Sequence, residues 1–157
     1  MTRTLCLLAF ALLTGLATAA VGARAQVTGV ELMDRGRPVP VDLTPDLTAL
    51  GRTLTMGLLA NAHQDVTRPV SDAEILSLAR RGTLLRVDLA RPEDVILLRL
   101  RSRARASRLA AYVPPDRDDR AFVFLGEADW DRIIVVTLPD PVRDELRRLR
   151  SATAAAD

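Results

Sequence analysis

The sequence predicts an α+β fold: a mainly antiparallel β-sheet with two or three helices packed on one face, in a single small domain. Three observations lead there. Short runs of apolar alternation recur between turn signals, as half-buried strands require. Three segments open with a capping residue, with or without a proline, suited to the first turn of a helix. No internal repeat, Gly/Ser linker or heptad seam divides the 157 residues, so one core is the simplest organisation.

Residues 1–25 read as a secretory signal peptide. Arg3 and the free amine precede an apolar run from Leu5 to about Leu16, and Ala23-Arg24-Ala25 offers the small residues a signal peptidase accepts. Cleavage is expected after Ala25, with Ala17-Thr18-Ala19 as an earlier alternative. Thr14, Gly15 and Thr18 interrupt the run, which is short of the roughly 20 apolar residues of a spanning helix. The expectation is a secreted or periplasmic domain with no transmembrane span after cleavage. Cys6 lies inside the apolar run rather than behind a cleavage site, so no lipid anchor is implied.

The domain is expected over residues 26–150. Val27 to Met33 and Arg37 to Leu43 flank Asp34-Arg35-Gly36 and predict a β-hairpin. Thr44-Pro45-Asp46 opens a first helix with Leu47, Leu50, Leu54 and Leu58 as its buried stripe, ending near Asn61. A polar stretch broken by Pro69 follows. Ser71-Asp72-Ala73-Glu74 is a capping box for a second helix, with Gly82 suited to the position past its end. Thr83 to Leu89 alternates as a strand. From Arg91 to Val113 two patterns compete: Pro92-Glu93-Asp94 looks like a helix start, yet Arg99, Arg101, Arg103 and Arg105 fall on every second position, which puts them on one face of a strand. A strand, a turn near Arg105 to Ser107 and a return strand through Val113 are expected. Ala121 to Leu125 and Ile133 to Leu138 form a buried hairpin around an acidic loop. Asp140-Pro141 starts a terminal helix with Val142, Leu146 and Leu149 inward, and a loose tail covers 151–157.

Cleavage changes the charge and redox argument. Arg3 and Arg24 leave with the signal, so 20 basic residues face 20 acidic ones in the remaining 132. A formally neutral domain argues against general binding to nucleic acid, and no aromatics are interleaved with the arginines for base stacking. The single cysteine also leaves, so the domain is cysteine-free and held by its core rather than by disulfides. Lysine is absent and arginine supplies every formal positive side chain. GC-rich coding explains that bias as readily as selection for the guanidinium fork.

Two constellations are candidates for function. The first is the arginine ladder, Arg99, Arg101, Arg103 and Arg105, able as a strand face to meet an anionic ligand or an acidic envelope protein. The competing account is that neighbouring acids neutralise it, or that it keeps a sheet edge from pairing with other chains. The second is the acidic loop, with Glu127, Asp129 and Asp131 around the lone Trp130, where paired carboxylates beside an aromatic are the elements of a sugar hydrolase. A tryptophan covering the sheet is the simpler account of that loop. His63, expected at the end of the first helix, has no identifiable acid and nucleophile to complete a catalytic group. Asp116, Asp118 and Asp119 superficially resemble a calcium loop, but Ala121 stands where the turn glycine is needed. No catalytic residue, metal site or cofactor is expected. The leading expectation is a non-enzymatic exported binding or envelope-associated protein; the alternatives are a hydrolase using the carboxylates near Trp130 and a structural or assembly subunit.

Overall fold

The computed structural model describes residues 27–39 and 61–140, together with residues 143, 144, 147 and 151. Seven strands form one antiparallel sheet: β1 (Val27–Asp34), β2 (Arg37–Val39), β3 (Ala62–Val70), β4 (Thr83–Leu97), β5 (Ser102–Val113), β6 (Arg120–Gly126) and β7 (Trp130–Thr137). Their spatial order is β2-β1-β4-β5-β6-β7-β3. A helix, α1 (Asp72–Ala79), carries the chain from the β3 edge back to β4, and a 3₁₀ turn at Leu98–Leu100 joins β4 to β5.

This corrects the expected α+β class. A sheet with two or three helices on one face is not what forms: among the described residues the fold is a seven-stranded antiparallel sheet with one fully bounded helix, α1, packed on it. Residues 140, 143, 144, 147 and 151 are helical, and Arg147 ties that segment to Asp118 in the loop after β5. The first expected helix falls on residues 40–60, outside the described residues. The polar stretch around Pro69 is a strand. β3, AHQDVTRPV, is polar because it is an edge strand with little of either face covered, and an edge is where a proline such as Pro69 is tolerated. Pro92-Glu93-Asp94 starts no helix and lies within β4.

Pro92 sits where β4 is irregular. The register passes from Asp88 opposite Arg108 to Glu93 opposite Ala106, so β4 carries three more residues than β5 across this step. Proline has no N–H to give a ladder and is accommodated at such bulges, which bend the strand pair. The consequence is visible at the hairpin tip. β5 and β3 stand three places apart in the sheet, about 14 Å if it were flat. Yet Ser102 Oγ at the start of β5 donates to Asp65 Oδ2 of β3 at 3.2 Å. The sheet is therefore strongly curled, and the distal half of the β4–β5 hairpin folds over toward β3.

Strand alternation sorts the apolar residues into two cores. The concave side gathers Val87, Val95, Leu97, Leu109, Val123, Leu125, Ile134 and Val136, all buried. The other side gathers Leu84, Tyr112, Phe124 and Trp130 beneath Ile75 and Ala79 of α1. The helix is fixed at both ends. At its start the capping box forms as expected, with Ser71 Oγ accepting from the Glu74 N–H at 3.2 Å and the Ser71 N–H donating to Glu74 Oε2 at 2.8 Å. That backbone bond, reinforced by the Ser71 hydroxyl, holds the Glu74 carboxyl below its ordinary value. Past its last residue the β1–β2 turn grips it, the Gly36 N–H donating to the Ala79 carbonyl at 2.8 Å and the Arg35 N–H to the Gly82 carbonyl at 3.0 Å.

The turn itself has Arg35 at φ 49° and Gly36 at φ 80°, the two left-handed residues of a type I′ hairpin. Gly82 differs from its expected role: its φ is not positive, and what it supplies is space. A β-carbon there would come within 2.5 Å of the Val113 carbonyl oxygen and 2.8 Å of the Tyr112 ring.

Candidate functional site

The arginine ladder divides. Because the turn falls at Leu98–Arg101 and not near Arg105 to Ser107, Arg99 and Arg101 belong to the hairpin tip while Arg103 and Arg105 point outward from β5. Arg101 occupies the left-handed region at φ 50° and caps the 3₁₀ turn, its N–H donating to the Leu98 carbonyl at 3.2 Å. On β5, neighbouring acids meet the arginines, as the neutralisation account holds. Arg103 lies 3.8 Å from Asp94 and Arg105 lies 3.6 Å from Glu127, both pairs exposed and therefore weak. Arg99 and Arg101 make no ion pair among the described residues.

The two candidate constellations meet in one open groove of about 480 Å³, lined by Arg103, Arg105, Glu127, Asp129, Asp131 and Arg132. Strand lengths explain it. β6 ends at Gly126 opposite Arg108, so residues 102–107 of β5 run on without a β6 partner, and the space beside them is bounded by the β6–β7 turn. Gly126 is required at that end, since a β-carbon would collide with the Asp129 carbonyl. Arg132 spans the gap: its NH1 donates to the Arg103 carbonyl at 2.8 Å, while its Nε and NH2 hold the Asp65 carboxylate. Asp65 and Arg132 are the network that fixes the hairpin against β3 and β7, and neither stands out in the sequence because each is one polar residue in an ordinary alternation.

Trp130 does not line this groove. It is 1% exposed, on the opposite side of the sheet from the concave core. Its Nε1 donates to Asp72 Oδ1 at 2.7 Å, and the Arg108 guanidinium stacks 4.4 Å from the ring centroid. Arg108 also donates to Asp72 Oδ1 at 2.7 Å and to the Ala128 carbonyl at 2.9 Å. The indole N–H is the main influence holding the Asp72 carboxyl below its ordinary value; partial burial opposes it, and Arg108 adds to the lowering. Trp130 is thus the bolt between sheet and helix, and the groove's acids have no aromatic wall from it on which a sugar ring would stack. His63 lies on β3 rather than at a helix end, its Nδ1 3.4 Å from Thr137 Oγ1.

Among the described residues, no group of three or more His, Cys, Asp or Glu side chains is placed to hold a metal ion. No helix among them is long and apolar enough to cross a membrane. The residues that sequence reading passed over are Ile96 and Leu98, 49% and 66% exposed beside the arginines of the tip. Their signal was the run Val95-Ile96-Leu97-Leu98, which has more aliphatic side chains than one face of a strand can bury. Comparison of the chain with protein-family models, with curated proteins and with solved structures finds no match.

Proposed function

We propose that this chain is an exported, non-enzymatic binding domain that takes an anionic partner on the tip of its β4–β5 hairpin. The single observation that carries the reading is the charge at that tip. From Ile96 to Arg103 the sequence holds three arginines and no acid, and two of the three, Arg99 and Arg101, have no ion partner among the described residues. A guanidinium pair without ion partners at an exposed turn attracts phosphate or carboxylate without the cost of breaking an existing ion pair. The tip is also held in place, through Ser102 and the Asp65–Arg132 network, so little ordering is needed on binding. Export rests on the charged start, apolar run and small-residue cleavage pattern of residues 1–25.

Retention on phosphocellulose at low salt tests it. Arg99→Ala combined with Arg101→Asn removes both charges, and asparagine tolerates the left-handed backbone of position 101. The double variant is expected to elute at clearly lower salt than the wild type with an unchanged circular dichroism spectrum; identical elution would overturn the assignment of the tip.

A further inference from the structure

Resting on that reading, we infer that the anionic partner is a lipid bilayer surface, into which the hairpin tip inserts Leu98 and Ile96 between its arginines. The argument begins with how the tip disposes of its aliphatic residues. Leu97 is fully buried in the concave core and Leu100 packs partly against it, so the tip is anchored from within. Leu98 and Ile96 are not needed by that anchor and project outward. They are two of the four large hydrophobic side chains most exposed among the described residues, and they sit two positions apart, Ile96 near the end of β4 and Leu98 at the start of the 3₁₀ turn. Ile96 lies directly opposite Arg103 in the strand pairing, on the outward face that also carries Arg105.

A site for a soluble anion needs only the cations, and water-exposed leucine adds nothing to it. A bilayer surface uses both. Aliphatic side chains enter the acyl boundary while arginines reach back to the headgroup phosphates along their own apolar stems. The charges facing the tip from its surroundings do not cancel this. Asp94 is already beside Arg103, Asp65 is held by Arg132, Glu127 is beside Arg105, and Asp129 and Asp131 line the groove with Arg103 and Arg105 and form no ion pair with Arg99 or Arg101 among the described residues. What remains at the 3₁₀ turn is Leu98, Arg99 and Arg101, an apolar side chain exposed together with two arginines.

Cosedimentation of the purified full chain with vesicles tests the inference, every variant carrying the same amino terminus so that any contribution from that segment cancels. The wild type should bind phosphatidylglycerol-containing vesicles more tightly than pure phosphatidylcholine. Leu98→Ser should lower the partition coefficient roughly tenfold, as expected for withdrawing one leucine from an apolar phase, while leaving retention on phosphocellulose unchanged. Each arginine removed should lower it about fivefold. Because Leu98 is exposed, the serine variant is expected to keep the wild-type unfolding midpoint, which excludes misfolding as the cause. If Leu98→Ser binds vesicles as the wild type does while the arginine variant does not, insertion is refuted and the anion-binding reading survives. If neither change matters, both fall. If the serine variant instead abolishes self-association seen by sedimentation velocity, the exposed leucine is a contact between copies and the bilayer assignment is wrong.

Discussion

Replacing Trp130 with phenylalanine separates packing from electrostatics at the joint between sheet and helix. The smaller ring leaves a gap under α1, at a cost of about 1–2 kcal/mol, the low end of large-to-small core changes. Arg108 keeps an aromatic face but a weaker one, a loss of about 0.5 kcal/mol. The hydrogen bond from Nε1 to the Asp72 carboxylate disappears outright. A bond to a charged group is worth about 1.5–3 kcal/mol, but the Asp72 side chain is 63% exposed and water screens it, so about 1 kcal/mol is a fair share. Near neutral pH the variant should therefore be less stable by about 3 kcal/mol.

The last share depends on pH, and its sign is fixed. The folded-state pKa of Asp72 is depressed, chiefly by Trp130, so its stabilising contribution is present above the unfolded value and lost as pH falls through the folded value. The gap between wild type and Trp130→Phe should accordingly narrow by about 1 kcal/mol toward the acid limit. The Glu74 contribution, also depressed, is common to both proteins and cancels. Urea unfolding followed by far-ultraviolet circular dichroism, from pH 7 down to the lowest pH at which both fold, measures it without relying on tryptophan fluorescence. A gap that stays constant with pH would show that the indole–carboxylate bond contributes nothing and that Trp130 acts by volume alone.

Two further outcomes follow from burial and close approach. Gly82→Ala should lower stability by about 1–3 kcal/mol, because its β-carbon meets the Val113 backbone, whereas Gly29→Ala, whose nearest neighbour is the Asp88 side chain at 3.4 Å, should stay within about 0.5 kcal/mol; urea midpoints compare them. Ile134→Ala, in the fully buried centre of β7, should cost about 2–5 kcal/mol, and Ile96→Ala, half-exposed on the hairpin, less than about 0.5, with equal losses contradicting the division of the apolar residues described above.

The elements most legible in the sequence were those whose signals are local. Asp34-Arg35-Gly36 makes its turn, and Ser71 to Glu74 makes its capping box, because a left-handed backbone or a free amide can be satisfied only by particular residues close by. The alternation of Arg99 to Arg105 was read as strand, and Arg103 and Arg105 do lie on β5, but the reversal sits at Leu98–Arg101 because the bulge at Pro92 and the pairing with β4 set it there. That is a long-range property. β3 escaped for the same reason: nothing in AHQDVTRPV alternates, and only the already-formed edge of β7 makes it a strand. Pro92-Glu93-Asp94 resembles a helix start because of the proline's fixed φ, yet the expected strand forms there, since a bulge is an equally good home for a proline. At the site, the arginines and the acidic loop were each visible, but their sharing of one groove depends on β6 stopping short of β5, and the turning of Trp130 away from that groove depends on which face α1 covers.

The double attachment of α1 bears on how the molecule comes together. An eight-residue helix has almost no population by itself in water, since its nucleation cost outweighs the few bonds it makes. Its partners are Gly36, far upstream, and Trp130, far downstream, so the segment gains its support only after distant parts of the chain have met. In native-state hydrogen exchange its amides should open with the sheet as one cooperative unit rather than fray ahead of it, although the segment is short and half of it faces solvent.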